Sequence, residues 1–189
     1  MRVKFTDLYK LTPEKEKIFK KINFLIKKNQ FIGGDEVKKF EKEFSRFTGS
    51  KYCVSLGNGT DALNLAVRSL NLKRGSEVII PANTWISTAE SAIQAGLKVI
   101  FCDVNLNDYS ISLKDLKKKI SKNTKLIMPV HLYGNPININ SIKEIIKKKN
   151  IKIIEDCAQA HGAKINKKHV GTYSDIGTFS FFPGKNLGC

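Results

Sequence analysis

The sequence predicts an α/β protein built on a mainly parallel sheet with helices on both faces. Two observations lead there. From residue 52 onward, short apolar runs alternate with amphipathic stretches, and residues of unusual type cluster just after the apolar runs. Strands and helices alternating at this spacing require right-handed crossovers between parallel strands. Sheets of that kind bind ligands beyond the carboxyl ends of their strands.

The elements follow in order. Residues 12–28 and 34–48 have helical periodicity, and the second stretch sets Val37, Phe40, Phe44 and Phe47 on one face, a stripe that reads as core. Strands are expected at 52–56, 77–80, 98–101, 125–130, 152–155 and 176–181. Between them lie helices at 60–71, 85–95, 112–120 and 140–149, the third opened by Ser112 as N-cap. There is no internal repeat, low-complexity tract or linker, so residues 1–189 are expected to be one domain or part of one, with a helical segment at 1–50 and an α/β core at 51–189.

A chain of 189 residues, 41% of them hydrophobic, can build a sizeable core. No apolar run approaches the roughly 18 residues that span a membrane, and the opening stretch MRVKFTDLYKLTPEKEK has no signal-like apolar segment. The expected location is the cytoplasm. Cys53, Cys102, Cys157 and Cys189 are scattered without C-x-x-C or Cys/His spacing, which points to reduced thiols and to neither disulfides nor a metal. The net charge of +16 invites a nucleic-acid reading, but the lysines spread over the whole chain. The runs Lys117–Lys118–Lys119 and Lys147–Lys148–Lys149 sit near expected helix C-termini, where cations favour the dipole. No specific nucleic-acid partner is expected.

Three segments carry candidate chemistry. Gly57–Asn58–Gly59–Thr60–Asp61–Ala62 leads from a strand into a helix; its backbone N–H groups and the Thr60 hydroxyl suit a phosphate, and a plain glycine turn capping a helix fits equally well. The same residues match the dinucleotide pattern G-x-G-x-x-A, making a nicotinamide-dependent enzyme the alternative, yet the acid expected after the next strand is replaced by Pro81–Ala82–Asn83–Thr84. In the second segment, 151–156, a buried strand runs into Glu155 and Asp156. A carboxylate there is costly unless a cation such as a protonated pyridine pairs with it, although Asp156 could equally cap the next turn. Gln159, His161 and His131 have simple readings as turn or structural residues, and His131 also ends a strand where it could line a pocket. The third segment sets Ser180 and Lys185 on either side of an aromatic Pro–Gly turn; apolar surroundings disfavour an ammonium, as an amine nucleophile needs.

In order, GNGTDAL, PANTWISTAE, FCDVN, HLYGNP, IIEDCAQAHGA and GTFSFFPGKNLG resemble the DegT/DnrJ/StrS family of nucleotide-sugar aminotransferases. The resemblance implies the large domain of fold type I pyridoxal-phosphate (PLP) enzymes, the aspartate-aminotransferase-like architecture. Lys185 would form the Schiff base with the cofactor, and Asp156 would pair with the pyridine nitrogen. Gln159 would bond the ring hydroxyl, Trp85 would stack on the ring, and Thr60, the amide of Asp61 and Ser180 would hold the phosphate. His161 and His131 would lie toward the substrate. The implied reaction moves an amino group from L-glutamate to a keto group of a nucleotide-diphosphate-linked sugar, for surface polysaccharide, lipopolysaccharide or a glycosylated metabolite. Sister dehydratases lack the lysine, and Asp61 within GTDAL leans toward members acting at carbon 3. Members are homodimers and continue about as long again past Lys185, so the chain is expected to be a fragment lacking the C-terminal small domain.

Overall fold

A computed structural model describes residues 7–12 and 14–188; the expectations for Cys189 and for the start of the helical segment fall outside them. The chain runs α1 (Leu8–Leu11), α2 (Lys15–Lys27), α3 (Asp35–Thr48), α4 (Gly59–Ser69), β1 (Glu77–Pro81), α5 (Ile86–Gln94), β2 (Lys98–Cys102), α6 (Leu113–Lys119), β3 (Thr124–Ile127), a 3-10 turn at Leu132–Gly134, α7 (Ile139–Ile146), β4 (Lys152–Asp156), a small hairpin of β5 (Lys164–Ile165) and β6 (Lys168–His169), and β7 (Ile176–Thr178). Five strands form one parallel sheet in the order β2-β1-β3-β4-β7.

Strand side chains alternate between the two faces, and the core divides accordingly. Val78, Ile80, Leu126, Met128 and Ile154 meet Leu63, Ala66 and Val67 of α4 and Ala89 and Ala92 of α5. Ile79, Ile127 and Ile153 meet Leu116 of α6 and Ile139, Ile142 and Ile146 of α7. The sheet is therefore covered on both faces, which is why Val78–Pro81 of β1 and Leu126–Ile127 of β3 are unbroken apolar runs rather than alternating ones. Among the described residues, no helix is long and apolar enough to cross a membrane.

Local rules set several boundaries. Ser112 caps α6 by accepting the Asp115 N–H, and Lys117, Lys118 and Lys119 occupy its last turn. Asn58 caps α4 and Asn138 caps α7 in the same way. Gly49 ends α3 at φ +77°, a left-handed position that glycine adopts without strain.

Two expectations need correction. Residues 52–56 form no strand. Tyr52, Val54 and Leu56 are exposed and Cys53 and Ser55 half-buried, but the described residues offer this segment no neighbouring strand, and a strand exists only through its ladder. The run 176–181 is cut to Ile176–Thr178, because β4, its one sheet partner, ends at Asp156 opposite Thr178. The aromatic stripe of α3 is likewise only half covered: Phe44 is buried against Phe179 and Phe181, while Phe47 stays half exposed.

β7 is held by a close crossing. A Cβ on Gly177 would lie 2.4 Å from the Gly171 carbonyl oxygen and 2.5 Å from Gly171 Cα, both backbone atoms. Gly177→Ala should therefore cost about 2–3 kcal/mol of unfolding free energy in urea titrations, whereas Gly184→Ala, whose nearest neighbours lie 3.9 Å away, should stay within about 0.5 kcal/mol of the parent.

Candidate active site

The parallel order sends the ends of β1, β4 and β7 to one edge of the sheet, where the N-termini of α4 and α5 also arrive. Printed contacts link these segments into one arc. A Cβ on Gly59 would come within 2.7 Å of Ser180 Cβ, so the glycine turn and the segment after β7 touch. The Thr60 hydroxyl lies 2.8 Å from that of Ser87 in α5. Thr88, next in α5, donates to Asp156 Oδ2 at 3.0 Å and lies 3.0 Å from the Thr84 hydroxyl. The Ala158 N–H donates to the other Asp156 oxygen at 3.1 Å. Trp85 stands at the N-cap of α5 with 73% of its surface exposed, a ring face free to receive a planar ligand.

Burial raises the pKa of Asp156; the Ala158 and Thr88 hydrogen bonds and the Lys185 charge pull only partly against it. Asp156 is thus a buried acid with two neutral donors and the charges of Lys185 and His131 acting on it, and no ion pair of its own among the described residues. Lys185 follows a turn closed by its own N–H to the Phe182 carbonyl at 2.8 Å and is half-buried. Gln159 Oε1 accepts the Tyr133 N–H at 2.6 Å, fixing that side chain with its amide N–H groups to spare. The Asp61 N–H is taken up by the Asn58 cap at 2.9 Å, and its carboxylate accepts from Asn58 Nδ2 at 2.8 Å, so within α4 it serves the helix start.

The two histidines sit in different surroundings. His131 is fully buried; its Nδ1 accepts the Ile137 N–H at 2.9 Å and its Nε2 faces Glu155 Oε2 at 3.0 Å, so both ring nitrogens are engaged within the protein. His161 sits in a box of Phe44, Phe179 and Phe181. Burial lowers its pKa, with hydrogen bonding to Asn186 opposing the shift and the His169 and Lys185 charges reinforcing it, so the uncharged imidazole is favoured there.

The residues missed from sequence are Thr88 and Glu155. Thr88 carries no pattern beyond its place in the first turn of α5. Glu155 points away from Asp156 and accepts from the Tyr173 N–H, the Ser174 hydroxyl and the Gly171 N–H at 2.8–2.9 Å, besides His131. Burial pushes its pKa up, but these donors outweigh it and hold the carboxyl below its usual range. Cys157 joins His131 and Glu155 within 4.8 Å, yet the carboxylate and imidazole are already spent on other partners, and burial holds the Cys157 thiol far above its usual pKa. Cys53, Cys102 and Cys157 are free thiols. The dinucleotide alternative is further weakened, since its glycine turn must follow a strand and 52–56 is none.

These segments define a ligand site at the carboxyl edge of a parallel sheet, of the kind used by fold type I cofactor enzymes. The model of the DegT/DnrJ/EryC1/StrS aminotransferase family matches residues 13–189, and the chain belongs to that family. It is 42% identical over 180 residues to dTDP-3-amino-3,6-dideoxy-alpha-D-galactopyranose transaminase of Aneurinibacillus thermoaerophilus, covering 95% of this chain and 50% of that protein. Against UDP-N-acetyl-3-dehydro-alpha-D-glucosamine 3-aminotransferase of Acidithiobacillus ferrooxidans it is 41% identical over 176 residues, covering 93% and 48%. Among solved structures, S. venezuelae DesV superposes with a TM-score of 0.94 at 33% identity, covering all of this chain and 51% of that one. A GDP-4-keto-6-deoxymannose-3-dehydratase with a trapped PLP-glutamate adduct superposes at 0.86 and 36% identity, covering 90% and 46%. The chain spans about half the length of the curated relatives it matches and corresponds to the N-terminal half of the fold type I structures.

The adjacent acids should respond oppositely to neutralisation. Glu155→Gln sets an amide N–H against the donors and should cost about 3 kcal/mol. Asp156→Asn keeps an acceptor, removes a buried charge and should leave the cofactor-free chain as stable or more so. The pH dependence follows from linkage. Glu155, held low, contributes stability that is present above the carboxylate range and lost as the pH falls through it. Asp156, held high, contributes most in acid and loses that contribution as the pH rises through its folded pKa. Acid destabilisation in urea titrations should be shallower in Glu155→Gln and steeper in Asp156→Asn; equal slopes would refute the assignment.

Proposed function

We propose that this chain is the cofactor-binding part, residues 1–189, of a PLP-dependent aminotransferase that passes an amino group from L-glutamate to a keto group of a nucleotide-diphosphate-linked sugar. The observation that carries this reading is Asp156: a buried carboxylate at the end of β4, held by Thr88 and Ala158, with Lys185 among the charges acting on it. Burial of that kind is stabilised by a cationic partner, and a protonated pyridine nitrogen is one. The residues present fit the rest of the group. Gly59 and Ser180 approach so closely that no larger side chain fits between them, leaving backbone and hydroxyl to face a phosphate at the N-terminus of the eleven-residue α4. Exposed Trp85 offers a stacking face, and Gln159 has donors to spare.

When bound, PLP supplies an electron sink for the pair released as a donor's α-proton leaves. The work of the chain is then positional and acid–base. Asp156 would keep the ring nitrogen protonated, Thr60 and Ser180 would hold the phosphate end, and the Lys185 amine would take up and return the donor's α-proton. The presence of Lys185 favours amino transfer over dehydration. The Aneurinibacillus and Acidithiobacillus relatives are named for amino groups at carbon 3, which supports the same position here. Amino-sugar biosynthesis for a surface polysaccharide, lipopolysaccharide or glycosylated metabolite, a cytoplasmic location and a homodimer of the longer polypeptide complete the proposal.

Incubation with PLP followed by borohydride should place a stable mass adduct on the peptide holding Lys185, and Lys185→Ala should abolish the adduct while cofactor still binds non-covalently. In a full-length protein the same change should lower amino transfer from L-glutamate by about a thousandfold. In the full-length protein, an adduct on another lysine, or none, would overturn the reading.

A further inference from the structure

The start of α5 departs from the rule for helix N-termini. A hydroxyl, carboxylate or carboxamide is the usual N-cap, yet α5 has Trp85 there, with no side-chain cap bond. Hydroxyls are not lacking, since Thr84, Ser87 and Thr88 flank that position, and each pairs with another side chain. Ser87 meets Thr60 at 2.8 Å, Thr88 donates to Asp156 Oδ2 at 3.0 Å, and Thr84 lies 3.0 Å from Thr88. A hydroxyl has one proton to give. Thr88 gives its own to the carboxylate, so in its contact with Thr84 it is the acceptor and Thr84 the donor. With Asp156 ionised, the bonds run in one direction, from Thr84 through Thr88 to Asp156, and each polarises the next.

The backbone of Asp156 is fixed by other means: its N–H donates to the Pro129 carbonyl at 2.9 Å, and its carbonyl accepts the His131 N–H at 3.0 Å. What remains to be set is the carboxylate. Thr88 on Oδ2 and the Ala158 N–H on Oδ1 take one position on each oxygen, and an ionised carboxylate has about four, so acceptor capacity is left for a cation. We propose that Thr84 and Thr88 are positioning residues for Asp156: their hydroxyl relay supports the ionised carboxylate in one orientation and ties that orientation to Trp85, which lies between them in the chain. Thr88 is fully buried and Thr84 half-buried, four residues apart on one side of the first turn of α5. A turn that forgoes its own cap while three of its hydroxyls serve α4 and β4 is built for the sheet edge rather than for the helix. That the cation is a ring nitrogen, and Trp85 a stacking face for the same ring, rests on the cofactor reading; the relay itself does not.

The test follows the ionisation of Asp156 by carboxyl carbon-13 NMR in the cofactor-free chain and in Thr88→Val, Thr84→Val, Thr88→Ser and Thr84→Ser. Valine keeps the branched shape and removes the hydroxyl; serine keeps the hydroxyl and removes the methyl. A hydroxyl is worth more to a carboxylate than to the protonated acid. Thr88→Val should therefore move the Asp156 midpoint upward, Thr84→Val should move it the same way by less, and both serine variants should stay with the parent. Lys185 and His131, the charges acting on Asp156, are unaltered in all four. In the full-length protein, Thr88→Val should weaken PLP binding about tenfold, Thr84→Val less, and Thr88→Ser not at all. Should Thr88→Val fail to fold, as far-UV circular dichroism would show, Thr84→Val at its half-buried site decides. A midpoint indifferent to Thr84→Val, or moved as far by serine as by valine, would overturn the relay in favour of plain packing. So would PLP binding, with the adduct on Lys185, that ignores the loss of the Thr88 hydroxyl. Midpoints that move as expected in a protein that takes up no PLP would sink the cofactor reading and leave the relay standing.

Discussion

The end of β4 is the point on which this structure turns. Two adjacent acids leave the strand in opposite directions, and the interior accommodates each by a different means. Glu155 is stabilised by four donors drawn from His131 and the loop 171–174, which binds that loop beneath β7 and fixes the crossing of Gly171 and Gly177. Asp156 receives two neutral donors and stays energetically unsettled, because a buried carboxylate needs more than that. One acid holds the fold together and the other remains available to a ligand. A single strand could not supply both roles with side chains on the same face.

From that point the arc of the site is built by geometry common to parallel sheets. Helix N-termini and strand carboxyl ends meet at one edge, so unpaired N–H groups, hydroxyls and a carboxylate gather where no apolar core competes for space. The contacts Ser180–Gly59, Thr60–Ser87 and Thr88–Asp156 join three separate connections into one surface. Lys185 completes it from the far end of the chain through its charge on Asp156 and His161. His161 keeps to an aromatic box beside the lysine, and burial there favours its uncharged form.

The surface around this edge is unfinished. In α2 no residue is buried although Phe19, Phe24 and Ile26 are apolar, the stripe of α3 is half covered, and β7 has no second strand partner among the described residues. Apolar faces of this extent on one chain are interaction surfaces. The excess of lysine, by contrast, lies largely on solvated faces and near helix ends, where its cost is low.

Local pattern was enough to read the alternation of strands and helices, the buried runs of β1, β3 and β4 and the Ser112 cap, while the candidate set Thr60, Trp85, Asp156, Gln159, Ser180 and Lys185 came from motifs in family order. Each of these depends on neighbours within a few residues or on motifs in order along the chain. The rest was decided by contacts between distant segments. Whether 52–56 is a strand depends on a ladder partner, and none lies among the described residues. That His131, after β3, meets Glu155 depends on the face of β4 from which Glu155 projects. Thr88 gains its role only when α5 packs across the sheet edge, 68 residues in sequence from Asp156. Periodicity reports what a segment can bury, but hydrogen-bond partners are chosen in three dimensions, and there the tertiary structure had the last word.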